Sequence, residues 1–281
     1  MNDHYFGKQI QQDTSDAAMT RAIEASLAAF ALQLVRLPGA EISDTNDLLW
    51  IATGAPIGFG NGVYRSTLAP DSADAAIVKV QEEFRRRKLP LMWQVGPSSQ
   101  PADLRQRLLA RGFIHDEDEP GMALDLLAIN EDVPIPAELD IRTVADLPML
   151  REWVATWGFG VPDDVLPLYH DVHTQLGIGP DLPWRYYLGF LDGKAVATSL
   201  LFMGAGVAAV HQVVTRPEAR FKGIGTAMTL AALRDARREG NRIAILTSSP
   251  YGERIYRRIG FRDYCTISRY DWQAEDKAGK V

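Results

Sequence analysis

The sequence predicts an α/β (α+β) protein built from two units. Three observations carry this. The chain has 281 residues, close to twice the ~150 residues of an ordinary domain. Strand-like and helix-like runs interleave along its length. One order of elements occurs twice: a strand, a short helix, a Gly-Phe step and a further strand. The first copy is Trp93–Val95, Leu104–Ala110, Gly112-Phe113 and Met122–Leu126; the second is Ile243–Leu246, Arg254–Ile259, Gly260-Phe261 and Ile267–Tyr270. Between them Asn130-Glu131-Asp132-Val133-Pro134-Ile135-Pro136 is polar, Pro-bearing and without period, as a linker would be. The expected organisation is a helical segment at 1–34, a first unit at 35–129, a linker at 130–138, a second unit at 139–273 and a loose tail at 274–281.

The elements follow in order. Thr14 to Leu34 is Ala-rich, lacks Gly and Pro and reads as a helix. Strand-like runs at Leu48–Ala52 and Val63–Leu68 flank a Gly/Pro-rich turn. Asp71 to Arg87 is expected as a helix with Ile77, Val80 and Phe84 on one face and capping oxygens from Ser72 and Asp74. Leu91–Val95 is a strand, Pro101 to Arg111 a helix with Gly112 as its C-cap, and Gly121 to Leu127 a strand. The second half opens with a strand at Leu139–Val144, then helical material from Asp146 to about Gln175, broken near Gly158 to Pro162. Trp184–Leu191 and Lys194–Phe202 are strands joined by Asp192-Gly193, a strong two-residue hairpin signal. Val207–Thr215 is a strand, Gly223–Arg238 a helix stopped by Gly240, Ile243–Leu246 a strand, Tyr251–Ile259 a short helix and Phe261–Tyr270 the last strand.

Composition excludes several classes. Thirty Lys and Arg against 36 Asp and Glu leave a net charge of −6, which argues against broad nucleic-acid binding but leaves room for a local basic pocket. A single cysteine, Cys265, rules out an internal disulfide and a Cys-based zinc site. His4, His115, His170, His173 and His211 form no His-Glu-x-x-His pair, and no third ligand accompanies His170 and His173, so no metal is expected. The apolar run Ser199–Val210 is about half of what spans a bilayer. The N-terminus lacks the basic region and apolar core of a signal peptide, so a cytoplasmic protein without membrane contact is expected.

Chemistry concentrates in Val207 to Met228. A β-rich run leads through a short turn into an amphipathic helix opened by Gly223-Ile224-Gly225-Thr226. Glycines there let backbone N–H groups approach a ligand, and the helix N-terminus favours an anion such as a diphosphate. Arg220 and Lys222 stand beside it to neutralise phosphate charge. A Walker loop is absent. Gly204-Ala-Gly206-Val-Ala-Ala209 fits a dinucleotide fingerprint in letters, but it leads into a strand and reads as a hairpin turn.

Arg220-x-x-Gly223-x-Gly225 after a strand, with Val213-Val-Thr-Arg-Pro217 before it and Tyr256-x-x-x-Gly260-Phe261 after it, resembles the GNAT superfamily of acyl-CoA-dependent N-acyltransferases. The resemblance covers about Ile141 to Trp272, and residues 35–127 resemble a degenerate second unit, as in tandem members. It implies two units, each a mixed, mostly antiparallel twisted sheet flanked by helices, with acetyl-CoA as co-substrate for transfer to an amine. Main-chain groups of Val213, Val214 and Thr215 would pair with the pantetheine arm. Arg220 and backbone amides of Phe221, Lys222, Gly223, Ile224, Gly225 and Thr226 would hold the diphosphate. Ser249 stands where many members have an Asn that contacts the arm. Tyr256 falls where the family places the acid that protonates the leaving thiolate. His211, nine residues before Arg220, falls where members carry a Glu or a His, and imidazole suits proton removal from the attacking amine. The first unit has no Arg-x-x-Gly-x-Gly counterpart and is expected to bind no acyl-CoA. On the acceptor side stand Trp153, Trp157, Phe159, Asp163, Asp164, Trp184, Tyr186 and Tyr187, with Trp153 expected in the core. Three activities stay open: acetylation of a small primary amine, non-catalytic acyl-CoA binding in a regulatory or interaction protein, and acetylation of a protein lysine or N-terminus.

Overall fold

A computed structural model describes residues 10–273. His4 and the tail at 274–281 lie outside the described residues. The chain separates into two compact units. Among the described residues, one unit holds 31–119 and 266–273; the other holds 10–30 and 120–265.

The first unit contains β1 (Glu41–Asp44), β2 (Leu48–Ala52), β3 (Gly62–Ser66), α2 (Ala73–Arg87), β4 (Leu91–Val95) and α3 (Leu104–Ala110). Its sheet runs β1-β2-β3-β4-β11, where β11 (Arg262–Trp272) is the last strand of the chain. All neighbours are antiparallel except β3 and β4. Ile77, Val80 and Phe84 of α2 pack with Val63, Trp93, Leu104, Tyr270 and Trp272 in one apolar core. The expected caps of α2 are not formed. Ser72 makes no side-chain cap, and the Asp74 carboxylate is taken by Arg107 and Arg111 of the neighbouring α3 segment.

The second unit contains most of α1 (Asp16–Gln33), then β6 (Asp140–Thr143), α4 (Leu147–Trp157), α5 (Leu166–Leu176), β7 (Trp184–Leu191), β8 (Lys194–Gly204), β9 (Val207–Thr215), α6 (Ile224–Arg238), β10 (Ile243–Thr247) and α7 (Glu253–Ile259). Its sheet runs β5-β10-β9-β8-β7-β6, with β5 (Ile114–Asp125) drawn from the first half of the sequence. Only β9 and β10 are parallel. The two sheets thus share one pairing scheme, antiparallel strands around one parallel pair, and each is closed by the strand that the sequence order assigns to the other. Arg242 grips Asp125 through two 2.6 Å bonds and pins β5 beside β10.

The stretch 130–136 is tied down at its start. Asn130 donates to the Arg258 carbonyl at 2.9 Å, and Glu131 binds Arg234 and Arg237 of α6 at 2.7 and 2.6 Å. The two arginines therefore anchor this stretch as a strap. The β7–β8 hairpin turns at Asp192 (φ 49°) and Gly193 (φ 74°), the positive-φ pair that suits the twist of a two-residue hairpin. Ala205 and Gly206 do the same between β8 and β9, so Gly204–Ala209 is a hairpin. Helix α1, through Arg36, is long and apolar enough in composition to cross a bilayer; its Ala18, Met19, Ala22, Ile23, Ala29 and Leu32 are buried within the fold, the pattern of a core helix.

Candidate active site

The site grows from a defect in the sheet of the second unit. Thr198 faces Val214 and Leu200 faces His211, so β9 spends one more residue than β8 between these pairs. The extra residue bulges the strand. Gln212 takes φ 53°, and its carbonyl is held by Thr198 Oγ1 at 2.9 Å. On its other edge β9 pairs with β10 only at Ala208↔Ala244 and Ala209↔Ile245. Past this point the ladder stops, although β9 continues to Thr215 and β10 to Thr247. Val213, Val214 and Thr215 keep their β8 side paired at Thr198↔Val214 and Ala197↔Thr215. Their edge toward β10 is a strand edge without a strand, which an extended ligand can join.

The chain then turns through Pro217–Ala219 into α6. Arg220 Nε donates to the Thr215 carbonyl at 3.0 Å and folds the guanidinium over the turn. Gly223 is the N-cap of α6 at φ 78° and offers no side-chain cap. A Cβ there would lie 2.7 Å from the Pro134 carbonyl oxygen, so both the backbone and the strap at 130–136 demand glycine. The first intrahelical bond runs from Ala227 N to Gly223 O. The amides of Ile224, Gly225 and Thr226 precede it and have no acceptor within the helix. Three N–H dipoles with Arg220 and Lys222 alongside, both exposed, make an arrangement that can hold an anion. A Cβ on Gly225 would meet Ile255 Cδ1 at 3.3 Å, which lets α6 and α7 approach closely.

On α7, Tyr256 is buried and sits edge-on to Phe261 at 5.9 Å. Ser249 follows β10 and is exposed, and its carbonyl takes the Ser248 hydroxyl at 2.8 Å and the Gly252 amide at 2.9 Å. His211 stacks on Phe30 of α1 with ring centroids 4.7 Å apart. The residue keeps partial exposure, but Nε2 is sealed from solvent and bonded to nothing. Burial pulls its pKa down to about 4, so the imidazole is neutral at pH 7 and able to accept a proton. Its neighbour Gln212 likewise carries a buried, unbonded Oε1. Sequence reading passed over Gln212, because a bulge and a positive φ leave no mark in strand periodicity.

Other candidates are spent in the core. Trp153, Trp184, Tyr186 and Tyr187 are buried. Trp153 stacks on Trp157, Trp184 donates to the Gly177 carbonyl and Tyr187 to Asp235. For Trp184, Tyr186 and Tyr187, where the sequence leaves an acceptor-side and a core reading open, this packing favours the core. Phe159, Asp163 and Asp164 remain exposed. His173 meets the Tyr186 hydroxyl at 3.2 Å and is held neutral by burial, with a pKa of about 3. Burial, aided by Glu24, pushes the Cys265 thiol up to about 12, which argues against a thiolate nucleophile.

The first unit has the same parallel junction, at Gly62↔Met92 and Val63↔Trp93, but there the gap is filled by the chain itself. Gln100 N donates to Ser66 O at 2.9 Å, Leu68 N donates to Gln100 O at 3.1 Å, and Trp93 Nε1 reaches Ser66 Oγ at 3.2 Å. The following turn, Thr67 to Ser72, has no glycine and brings Asp71 and Asp74 to the start of α2. Asp74 is already paired with Arg107 and Arg111, which leaves the Asp71 carboxylate to repel a phosphate.

Residues 148–261 match the family model described as the Acetyltransferase (GNAT) family. A GCN5-related N-acetyltransferase from Kribbella flavida superposes with a TM-score of 0.69 at 21% identity, over 90% of this chain and 96% of that one. A tandem GNAT protein from the clavulanic acid biosynthesis pathway gives 0.60 at 13% identity, over 96% and 99%. A GCN5-related N-acetyltransferase from Sphaerobacter thermophilus gives 0.55 at 20% identity, over 83% and 76%. No curated protein matches the sequence significantly. The interrupted ladder, the glycine-capped helix and the family match coincide in one segment, and the chain therefore carries an acetyltransferase domain of the GNAT family at residues 148–261.

Proposed function

We propose that the second unit transfers the acetyl group of acetyl-CoA to a primary amine, a small molecule, by direct attack in a ternary complex. The observation that carries this reading is the end of the β9–β10 ladder at Ala209↔Ile245, followed in the chain by the uncapped amides of α6. The pantetheine arm pairs with the open edge of Val213, Val214 and Thr215. The diphosphate rests on the amides of residues 221–226, with Arg220 and Lys222 offsetting its charge.

The amine nitrogen attacks the thioester carbon, and a main-chain N–H of the bulged strand polarises the carbonyl oxygen. Removing a proton from a free ammonium group (pKa about 10) would be uphill by several kcal/mol for an imidazole with a pKa of about 4. The amine therefore enters as the free base. Once it bonds to carbon its proton becomes far more acidic, and His211 accepts it, directly or through water. The tetrahedral adduct collapses, the C–S bond breaks, and Tyr256 protonates the departing thiolate. The products are the N-acetyl amine and CoA thiol. Thiol release from acetyl-CoA across a panel of amines tests this. Amine-dependent release supports it; acetyl-CoA binding with no release for any small amine, peptide or protein favours a non-catalytic role.

A further inference from the structure

We infer that the ring of Phe221 is a stacking platform for the adenine of the acyl-CoA, so that it selects the nucleotide end of the donor. The inference rests on the acetyl-CoA reading of the same site. Phe221 lies between Arg220 and Lys222, two residues before the N-cap of α6, and holds φ 64°. A bulky side chain in the left-handed region is rare and strained. The strain returns nothing to the fold, because the side chain is fully exposed, at 105% of its reference area. Among the large hydrophobic side chains of the described residues Tyr251, at 94%, is the other one of comparable exposure, and it stands at the start of the turn into α7. An apolar ring that packs on nothing, held beside a phosphate cradle and flanked by two cations, suits a ligand whose phosphates lead into a planar base. Aromatic faces bind nucleobases without sequence preference, and the cations hold the phosphates on either side.

The test is calorimetry of the full chain with two probes, acetyl-CoA and S-acetyl-4′-phosphopantetheine, which lacks the adenylate. Phe221→Gly removes both ring and strain. It should raise Tm by a few degrees and weaken acetyl-CoA binding by about 5- to 100-fold, with little change for the truncated thioester. Phe221→Leu keeps apolar bulk without a π-face and should lose the same preference; Phe221→Trp should keep it. If Phe221→Gly binds acetyl-CoA as the wild type does, the inference fails. It fails also if both probes weaken equally, since the loop and not the ring then matters. A change in oligomeric mass with unchanged affinity would give the ring to a protein contact and would likewise overturn it. If wild-type protein binds neither probe, the acetyl-CoA reading itself falls and takes this inference with it; binding by wild type with no effect of Phe221→Gly removes the inference alone.

Discussion

Phe30 of α1 and His211 of β9 stack with ring centroids 4.7 Å apart and planes inclined by 25°. The contact joins a helix at the beginning of the chain to the strand that carries the open edge. Burial, with no charged partner among the described residues, sets the protonation state of the histidine. Burial lowers its pKa from 6.5 to about 4, so protonation is disfavoured in the folded state.

The sign of the pH effect follows. Between pH 6.5 and 4 the unfolded chain binds a proton at His211 that the folded chain refuses, so stability falls as pH drops through that window and is fully present above 6.5. His173, with a pKa near 3, acts in the same direction and extends the loss further down. His211→Asn should flatten this part of the curve in urea midpoints measured from pH 7 to 4. In activity, kcat/KM should show no acid limb near pH 6.5 from this residue. An NMR titration that places the His211 imidazole near 6.5 contradicts the account.

Gly223→Ala adds a Cβ at φ 78° and 2.7 Å from the Pro134 carbonyl oxygen. The strain alone costs about 1–2 kcal/mol, and relief requires the strap at 130–136 or the N-terminus of α6 to shift. The expected outcome is a lower Tm and an acetyl-CoA KM raised at least tenfold. An unchanged KM would mean that the turn is not part of the cradle.

Charge and acid roles separate in kinetics. Arg220→Ala and Lys222→Ala each remove a charged partner for phosphate, worth about 1.5–3 kcal/mol if the contact is direct. The acetyl-CoA KM should rise about 10- to 100-fold with kcat less affected. Tyr256→Phe should instead lower kcat about tenfold or more, with KM nearly unchanged, because the ring packing on Phe261 is kept. Wild-type turnover in Tyr256→Phe would remove the hydroxyl from the mechanism.

The filled junction of the first unit predicts stoichiometry. Gln100 occupies the edge of Ser66 and Leu68, so acetyl-CoA should bind once per chain. Two equivalent sites per chain would contradict this.

Much of the fold was legible because its elements are marked locally. Val207–Thr215, Trp184–Leu191 and Leu91–Val95 coincide with the strands that alternation and turn residues predict. Asp192-Gly193 marks its own hairpin. The short edge strand Glu41–Asp44 was not legible, since four residues of mixed polarity carry no period. Nor was the exchange of β5 and β11. Both follow a Gly-Phe step and read alike, and their choice of neighbour depends on distant pairing such as Asp125 with Arg242. At the site, Gly223, Gly225 and Tyr256 stand out by spacing. The bulge at Gln212, the sealed Nε2 of His211 and the burial of Tyr186 and Tyr187 arise from register and tertiary packing, which no local pattern records.

The most direct measurement is a calorimetric titration of the wild-type chain and of Gly223→Ala with acetyl-CoA. The account predicts saturable uptake by the wild type and its loss, or a tenfold or greater weakening, in the variant. No uptake by folded wild-type protein would contradict it at the root.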